Sequence, residues 1–535
     1  MKYKLFFLGA LLQMLTVTSC RQESDALYSY GQNDYLRFQE ANESYAGEFK
    51  LFWNAMNQNY PLWDYERQFG LDWDAAYDEF LPRFEALDER RENGEEITDQ
   101  EYRSLIEDLV RPLHESHMSV DFVNLSTGNY ITADPSALRI YDRDDCHVSS
   151  GFTPYPFYYE NEGRLSHYRS ASTKVGTVIK WFLDRDDKTY GWGYVLDRIE
   201  TLSAKEAAGT IEADEVIELN ALKDVDAACE AYDGNYTDDE KFSWMSQLYQ
   251  HYTNAVAGTS AQPVPGLMDM DPNYMNVGLD IKSAVLDDGV AYLYMSNFAL
   301  SPYLSDWSNL GYFTSASQTV LAQNQAIVDV WNNWFDQIQE MKKSGTLKGV
   351  IIDVRSNGGG FVNDFQFVLG ALLPQDNYFQ IGYRREKSGV GRYDYGPLLP
   401  YERPALSAPH ETIAEPIVVL TNCWSASMSE MTAMGAKNLS NARIVGKRSL
   451  GVTGVLNDDP KYYSTVYAGC IGEQNKTSVY IYLPKCATFS LDNKCYEGVG
   501  IEPDIEVDLD EDLFNSTGCD TQLERALEYI ENGNP

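Results

Sequence analysis

Positive charge is scarce in this chain. Its 535 residues carry 42 Lys and Arg against 81 Asp and Glu, a formal net charge of −39. Nucleic-acid phosphates would be repelled over the whole of such a surface, which excludes a nucleic-acid partner. Histidine is sparse too: His114, His117, His147, His167, His251 and His410 are all there are. His114 and His117 are close enough in sequence to share a metal, but no third ligand of familiar spacing accompanies them, so no metal is expected. Asp144-Asp145 and Asp269–Asp271 lack EF-hand spacing. The eight cysteines form no CxxC pair, which removes zinc-ribbon and thioredoxin-like readings. The glycine run at Gly358-Gly359-Gly360 is not followed by Gly-Lys-Ser/Thr, so it is not a phosphate-binding loop, and no organic cofactor is implied. Beyond the first 20 residues no stretch is apolar enough to span a membrane.

What is present describes an exported globular protein. Hydrophobic residues make up 44% of the chain, and its length suffices for two or three cores. Lys2 and Lys4 precede an apolar segment, Leu5–Val17, too short for a transmembrane helix. Val17-Thr18-Ser19-Cys20 then matches the lipobox of bacterial lipoproteins. Residues 1–20 are therefore expected to be a signal peptide, with Cys20 lipidated after cleavage and residues 21–45 as a polar tether. Arg21 stands where an inner-membrane retention aspartate would sit, which favours the outer membrane. Glu23 and Asp25 suggest surface display. Export permits disulfides. Cys486 and Cys495 bracket a hairpin and could pair, the disulfide pattern being left open, whereas Cys423, inside a buried strand, is expected to be inert.

Periodicity divides the remainder. Over residues 46–120, Phe49, Phe52, Trp53, Met56 and Tyr60, then Trp73, Tyr77, Phe80 and Phe84, then Tyr102, Leu105 and Leu109 recur at helical spacing, which predicts a helical bundle. Residues 121–275 are harder to read. Strands are expected at Gly151–Tyr159, at Tyr190–Tyr194 and over 173–179, with partial helix over Asp233–Tyr252, giving a middle region that is β-rich, with a degenerate PDZ-like domain and an insertion both open. Residues 276–535 alternate strand and helix: Gly289–Asn297, the amphipathic Ala316–Ser344, Gly349–Val354, Tyr462–Ala468, Ser478–Leu483 and the closing helix Thr521–Asn532. That alternation predicts an α/β core with a sheet covered by helices, and hence a mixed α/β chain.

Two segments of that core carry chemistry. Pro416–Asn422 reads as a buried strand that turns through Ser425-Ala426-Ser427-Met428-Ser429 into a helix. Such a turn exposes a hydroxyl and aims free backbone N–H groups at one place, as a serine nucleophile requires. A plain N-cap is the bland alternative. Upstream, the buried strand ending at Asp353 and Arg355 is followed by Asn357 and three glycines that let the backbone approach something closely. A structural turn and an oxyanion loop both remain open on the residues alone.

Together these segments resemble the C-terminal processing peptidases (tail-specific proteases), a superfamily of serine peptidases. Asp353-x-Arg355-x-Asn357-x-Gly359-Gly360 matches its D-x-R-x-N-x-G-G segment, and Ser425-Ala426-Ser427-Met428-Ser429-Glu430 its S-A-S-x-S-E turn. The resemblance implies a crotonase-like α/β catalytic core and no cofactor. It makes Ser427 the nucleophile, with oxyanion donors from Gly359 or Gly360 and from Met428. Most bacterial members pair the serine with a lysine in a G-K-G turn. Here the position is Val452, in Gly451-Val452-Thr453-Gly454, and a valine accepts no proton. The tricorn-like branch instead uses a histidine, a neighbouring serine and a glutamate. His117 and Ser116, in Leu113-His114-Glu115-Ser116-His117, resemble the first two. Glu497, in Glu497-x-x-Gly500-Ile501-x-Pro503-Asp504, resembles the third. His117 would then be general base and acid, oriented by Ser116 and Glu497, with His114 as its rival. The substrate implied is a peptide or protein, and the only membrane contact a lipid anchor. Two alternatives stand beside this reading. One is a glycan-binding outer-membrane lipoprotein, for which 38 Tyr and 10 Trp speak. The other is a peptide-binding pseudo-peptidase, for which the missing lysine speaks.

Overall fold

A computed structural model describes residues 44–141, 143–154, 157–173, 179–180, 182–236, 238–267, 279–304, 318–375, 377–389, 391–454, 472, 477–484 and 486–533. The signal peptide, Cys20, Asp269–Asp271 and the strand expected at Tyr462–Ala468 lie outside them. Ser44 opens helix α1 (Tyr45–Asn59) by accepting the Gly47 N–H at 2.9 Å. Asp72 and Thr98 cap α2 (Trp73–Glu92) and α3 (Asp99–Val110) in the same way. The aromatic stripes meet in one core, where Phe49 stacks on Phe84 with ring centroids 4.9 Å apart. The helices do not close that core alone. Strands β1 (Ser119–Val123) and β2 (Tyr130–Ala133) add Val120, Phe122 and Ile131, and the far end of the chain adds Val479, Ile481 and Phe489. His117 lies between α3 and β1. The shared core therefore fixes the histidine against the C-terminal half.

The middle region departs from expectation. Strand β3 (Leu165–Ser172) was not foreseen, and Phe157–Asn161, expected as strand, is a helical turn. From Gly191 onward the chain is helical: α4 (Gly191–Ala207), α5 (Ala213–Glu230) and α6 (Asp238–Ala255). The β-rich or PDZ-like description does not fit these residues. Trp192, Val195 and Leu202 share a helical face, and with Leu222, Val225 and Met245 they form a separate apolar cluster. Gly191 permits the sharp entry, since its φ is +55° and a Cβ there would lie 2.3 Å from the Phe182 carbonyl oxygen.

The core sheet forms from β3, β4 (Asp280–Leu286), β5 (Val290–Met295), β6 (Gly349–Asp353), β9 (Ile417–Thr421), β10 (Ala442–Gly446) and β13 (Ile505–Glu506). A second sheet joins β7 (Tyr378–Glu386) and β8 (Leu399–Pro404) to β12 (Cys486–Phe489), and β11 (Val479–Tyr482) pairs with β1. The seven core strands run in the order β13-β10-β9-β6-β5-β4-β3, parallel from β5 to β13. Strands β6 and β9 are wholly buried because both faces are covered. Val350, Ile352, Ile417 and Val419 face the side covered by α7 (Gln318–Ser344) through Trp331, Trp334 and Ile338. Ile351, Val418 and Leu420 face the other side, under Leu523, Leu527 and Ile530 of α9 (Thr521–Asn532). Helix α8 (Met428–Lys437) follows β9.

The cysteines also differ from expectation. Cys486 and Cys495 both remain thiols, and Cys423 is disulfide-bonded to Cys146, 277 residues away, with Cα atoms 5.5 Å apart. Cys486 is on β12 in the core under α7, whereas Cys495 packs with the N-terminal core, so the two face different cores. The disulfide ties residues 143–154 to the turn after β9.

Beyond β6, Arg355 is fully buried. It holds Asp353 through Nε and Nη2 at 2.9 and 2.6 Å, and reaches Asp520, the N-cap of α9, at 2.7 and 2.9 Å. Removing it strands two carboxylates out of water. We expect Arg355→Met to lower unfolding free energy by about 3–5 kcal/mol, measured by denaturant titration.

Candidate active site

Strands β6 and β9 are adjacent and parallel, with Asp353 opposite Leu420, so their following loops leave the same edge of the sheet. Those loops are stitched together. Ser425 Oγ donates to the Val354 carbonyl at 2.7 Å, and the Asn357 carbonyl accepts Ala426 N–H at 3.0 Å and Ser429 Oγ at 2.8 Å. Asn422 Oδ1 accepts Ser356 N–H and Trp424 N–H.

Ser427 sits at the N-cap position of α8 but makes no capping bond. Its backbone has φ 53° and ψ −113°, a sparsely populated conformation for a non-glycine residue. The hydroxyl instead lies 3.2 Å from His117 Nε2, across 310 residues of sequence. Val452, at the position of the family's lysine, works through its backbone. Its carbonyl accepts Ser427 N–H at 2.9 Å and its N–H donates to Glu430 Oε2 at 2.6 Å.

Gly359 packs against Ser427. A Cβ there would stand 2.5 Å from Ser427 Cβ and 2.8 Å from Met428 N, and φ is +97°. Its N–H is taken by Asn357 Oδ1 at 2.8 Å. Met428 N–H, first in α8, and Gly360 N–H have no acceptor among the described residues.

The acid side is built from three chain segments. Glu497 is buried, and accepts Ser116 N–H at 2.8 Å on one oxygen and Thr453 N–H and Oγ1 at 2.7 and 2.8 Å on the other. Ser116 therefore meets Glu497 through its backbone. Its hydroxyl is occupied by Arg139 Nη2 at 2.6 Å and by the His114 carbonyl at 3.1 Å, not by the imidazole as expected. His114 is turned away: Nδ1 lies 2.7 Å from Glu66 Oε2 and the ring stacks on Phe69 at 3.8 Å. Glu115, which no motif in the sequence marks, is the carboxyl beside the imidazole, with Oε1 3.9 Å from His117 Nδ1. It stands two residues before the histidine, a spacing that could have drawn attention to it.

Burial sets the protonation states. It pushes His117 down to about 4, so the imidazole is neutral near pH 7. Glu430 is pushed up to about 7 by burial, although Ser449 Oγ, Gly451 N–H and Val452 N–H all donate to it. Burial also raises Glu115 and Glu497, and for Glu115 the neighbouring Glu497 charge adds to the rise. Among the described residues, Glu115, His117 and Glu497 are the group whose ligand atoms lie close enough to hold a metal, all within 4.8 Å. The Glu497 oxygens already face three N–H and O–H donors, which is a setting for an anion and not for a cation. A cavity of about 550 Å³ opens beside His117, lined among others by Trp424, Leu450, Tyr480, Tyr482 and Asp134.

The strand–turn–helix serine, the glycine loop packed against it and the facing histidine have the arrangement of a serine peptidase site. Residues 290–507 match peptidase family S41, and the chain is similar to members of the C-terminal processing peptidase superfamily. It is 29% identical over 182 residues to the tricorn protease of Thermoplasma volcanium, covering 34% of this chain and 14% of that protein. It is 29% identical over 173 residues to the carboxy-terminal-processing protease of Bartonella bacilliformis, covering 32% of this chain and 33% of that one. The chain thus spans a third or less of the length of these curated relatives. A solved protein structure from Parabacteroides merdae aligns over 92% of this chain and 98% of its own at 16% identity, with a TM-score of 0.45.

Proposed function

We propose that this chain is a lipid-anchored serine endopeptidase that cleaves peptide bonds through an acyl-enzyme. The observation that supports it best is the 3.2 Å approach of Ser427 Oγ to His117 Nε2, made by a residue held in a strained turn. Neutral His117 takes the Ser427 proton on Nε2 as Oγ bonds to the substrate carbonyl carbon. The carbonyl oxygen becomes an oxyanion against Met428 N–H, with the second donor from Gly360 N–H, since the Gly359 N–H expected as the other choice is already bound to Asn357 Oδ1. When the C–N bond breaks, His117 returns the proton to the leaving amine. Water then repeats the sequence on the acyl-enzyme. Glu497, held by Thr453 and by the Ser116 backbone, supplies the negative charge that favours imidazolium in the transition state. This is a tricorn-like group working without the lysine that Val452 replaces.

A fluorophosphonate probe tests the chemistry. We expect labelling at Ser427 in the full chain, lost in Ser427→Ala and in His117→Ala with melting temperatures retained. Absence of labelling in a folded wild-type protein would contradict catalysis and leave peptide binding alone.

The anchor is proposed on the lipobox at Val17–Cys20, with the outer membrane as destination. In a bacterial host we expect the wild-type chain in the membrane fraction with a lipid-modified N-terminal peptide by mass spectrometry. Cys20→Ser should move it to the soluble fraction; equal partitioning of both forms would refute the anchor.

A further inference from the structure

Glu115 is 1% exposed and its oxygens complete no well-formed hydrogen bond, the His117 backbone N–H and the Glu497 carboxyl being the groups in reach, and His117 Nδ1, 3.9 Å away, is likewise buried without a partner. Two orphaned polar groups facing each other beside a nucleophile call for an account, because a buried carboxylate with no donor is costly when ionised. Glu497, which has three donors, is the member of the pair suited to carry the charge. Where two adjacent buried carboxyls share one proton, it resides on the one with the poorer set of donors, here Glu115. Gly454 leaves room for that carboxyl, since a Cβ there would lie 2.7 Å from Glu115 Oε1.

Resting on the peptidase reading above, we propose that Glu115 is a positioning residue for His117, a neutral carboxyl group whose O–H donates to Glu497 and whose carbonyl oxygen accepts the His117 Nδ1–H. At 3.9 Å the second bond is not yet made, so the carboxyl closes by a side-chain rotation of under an ångström or so. The relay fixes the tautomer in which Nε2 is free to take the Ser427 proton. When His117 becomes imidazolium, Nδ1–H polarises toward Glu115 and the Glu497 charge is felt through the shared proton. No proton leaves the pair. The other titratable or charged groups at this pocket are Tyr60, whose hydroxyl accepts Glu115 N–H at 3.1 Å, Glu66 bonded to that hydroxyl, and Arg139.

The role is distinctive because glutamine mimics a protonated glutamate: its NH₂ donates and its carbonyl accepts. The test is the rate of fluorophosphonate labelling of Ser427 against pH in the full chain, for wild type, Glu115→Gln and Glu115→Met. Glu115→Met keeps the length and volume but makes neither bond. We expect Glu115→Met to slow labelling on the order of 10²-fold, while Glu115→Gln keeps both the wild-type rate and the wild-type acid limb. Loss in Glu115→Gln equal to that in Glu115→Met would overturn the neutral-donor role, as would a wild-type rate in Glu115→Met. Should Glu115→Met not fold, Glu115→Gln alone decides by the same criterion. Failure of wild type to label removes the peptidase reading and this proposal with it. Labelling that depends on His117 but not on Glu115 removes only this one.

Discussion

The parallel pairing of two buried strands is the constraint on which the site rests. Because β6 and β9 lie side by side and end together, the glycine loop and the nucleophile turn emerge as neighbours. Backbone and side-chain hydrogen bonds from Ser425, Ala426 and Ser429 then lock one loop to the other. Only after that can Ser427 be held in a conformation that a free chain would avoid, since the surrounding bonds over-determine it. Arg355 and the disulfide at Cys423 brace the same edge from either side.

Burial is the second determinant. The site packs Glu115, Glu497 and Glu430 out of water behind His117, which is itself half-buried at the cavity wall, and each carboxylate is stabilised to the degree that it finds donors. Glu430 accepts from the loop Ser449–Val452, so this segment serves as backbone support for the turn at Ser427. Burial keeps the imidazole neutral and ready to accept a proton. The acids behind it would offset the cost of a positive charge on the imidazole.

The legible part of this architecture is the part written locally. Apolar runs at Gly349–Val354 and Pro416–Asn422 declare strands buried on both faces, and the aromatic stripes from Phe49 to Leu109 declare helices. The turn at Ser427 and the loop at Gly358–Gly360 are visible as clusters of small residues, and the likeness to a peptidase superfamily points to His117 and Glu497. What escaped is what depends on distant chain. The partner of Cys423 lies 277 residues upstream, and nothing local indicates it. The helix beginning at Gly191 was hidden because Tyr190–Tyr194 is aromatic and short, and only the longer face through Leu202 reveals its period. Ser116 was placed at the imidazole by analogy, whereas its hydroxyl is drawn off by Arg139, whose position no local pattern foretells. Glu115 stood in plain view beside the histidine, but a carboxylate is notable there only once it is known to be buried.

The central claim is that a neutral, buried imidazole activates Ser427. The pH dependence of the second-order rate of fluorophosphonate modification of the wild-type chain measures this directly. A base held down by burial is active above its own titration point, so the rate should rise through about pH 4 and be level by neutrality. An acid limb at the ordinary imidazole value of about 6.5, or a rate indifferent to the loss of His117, would contradict the account.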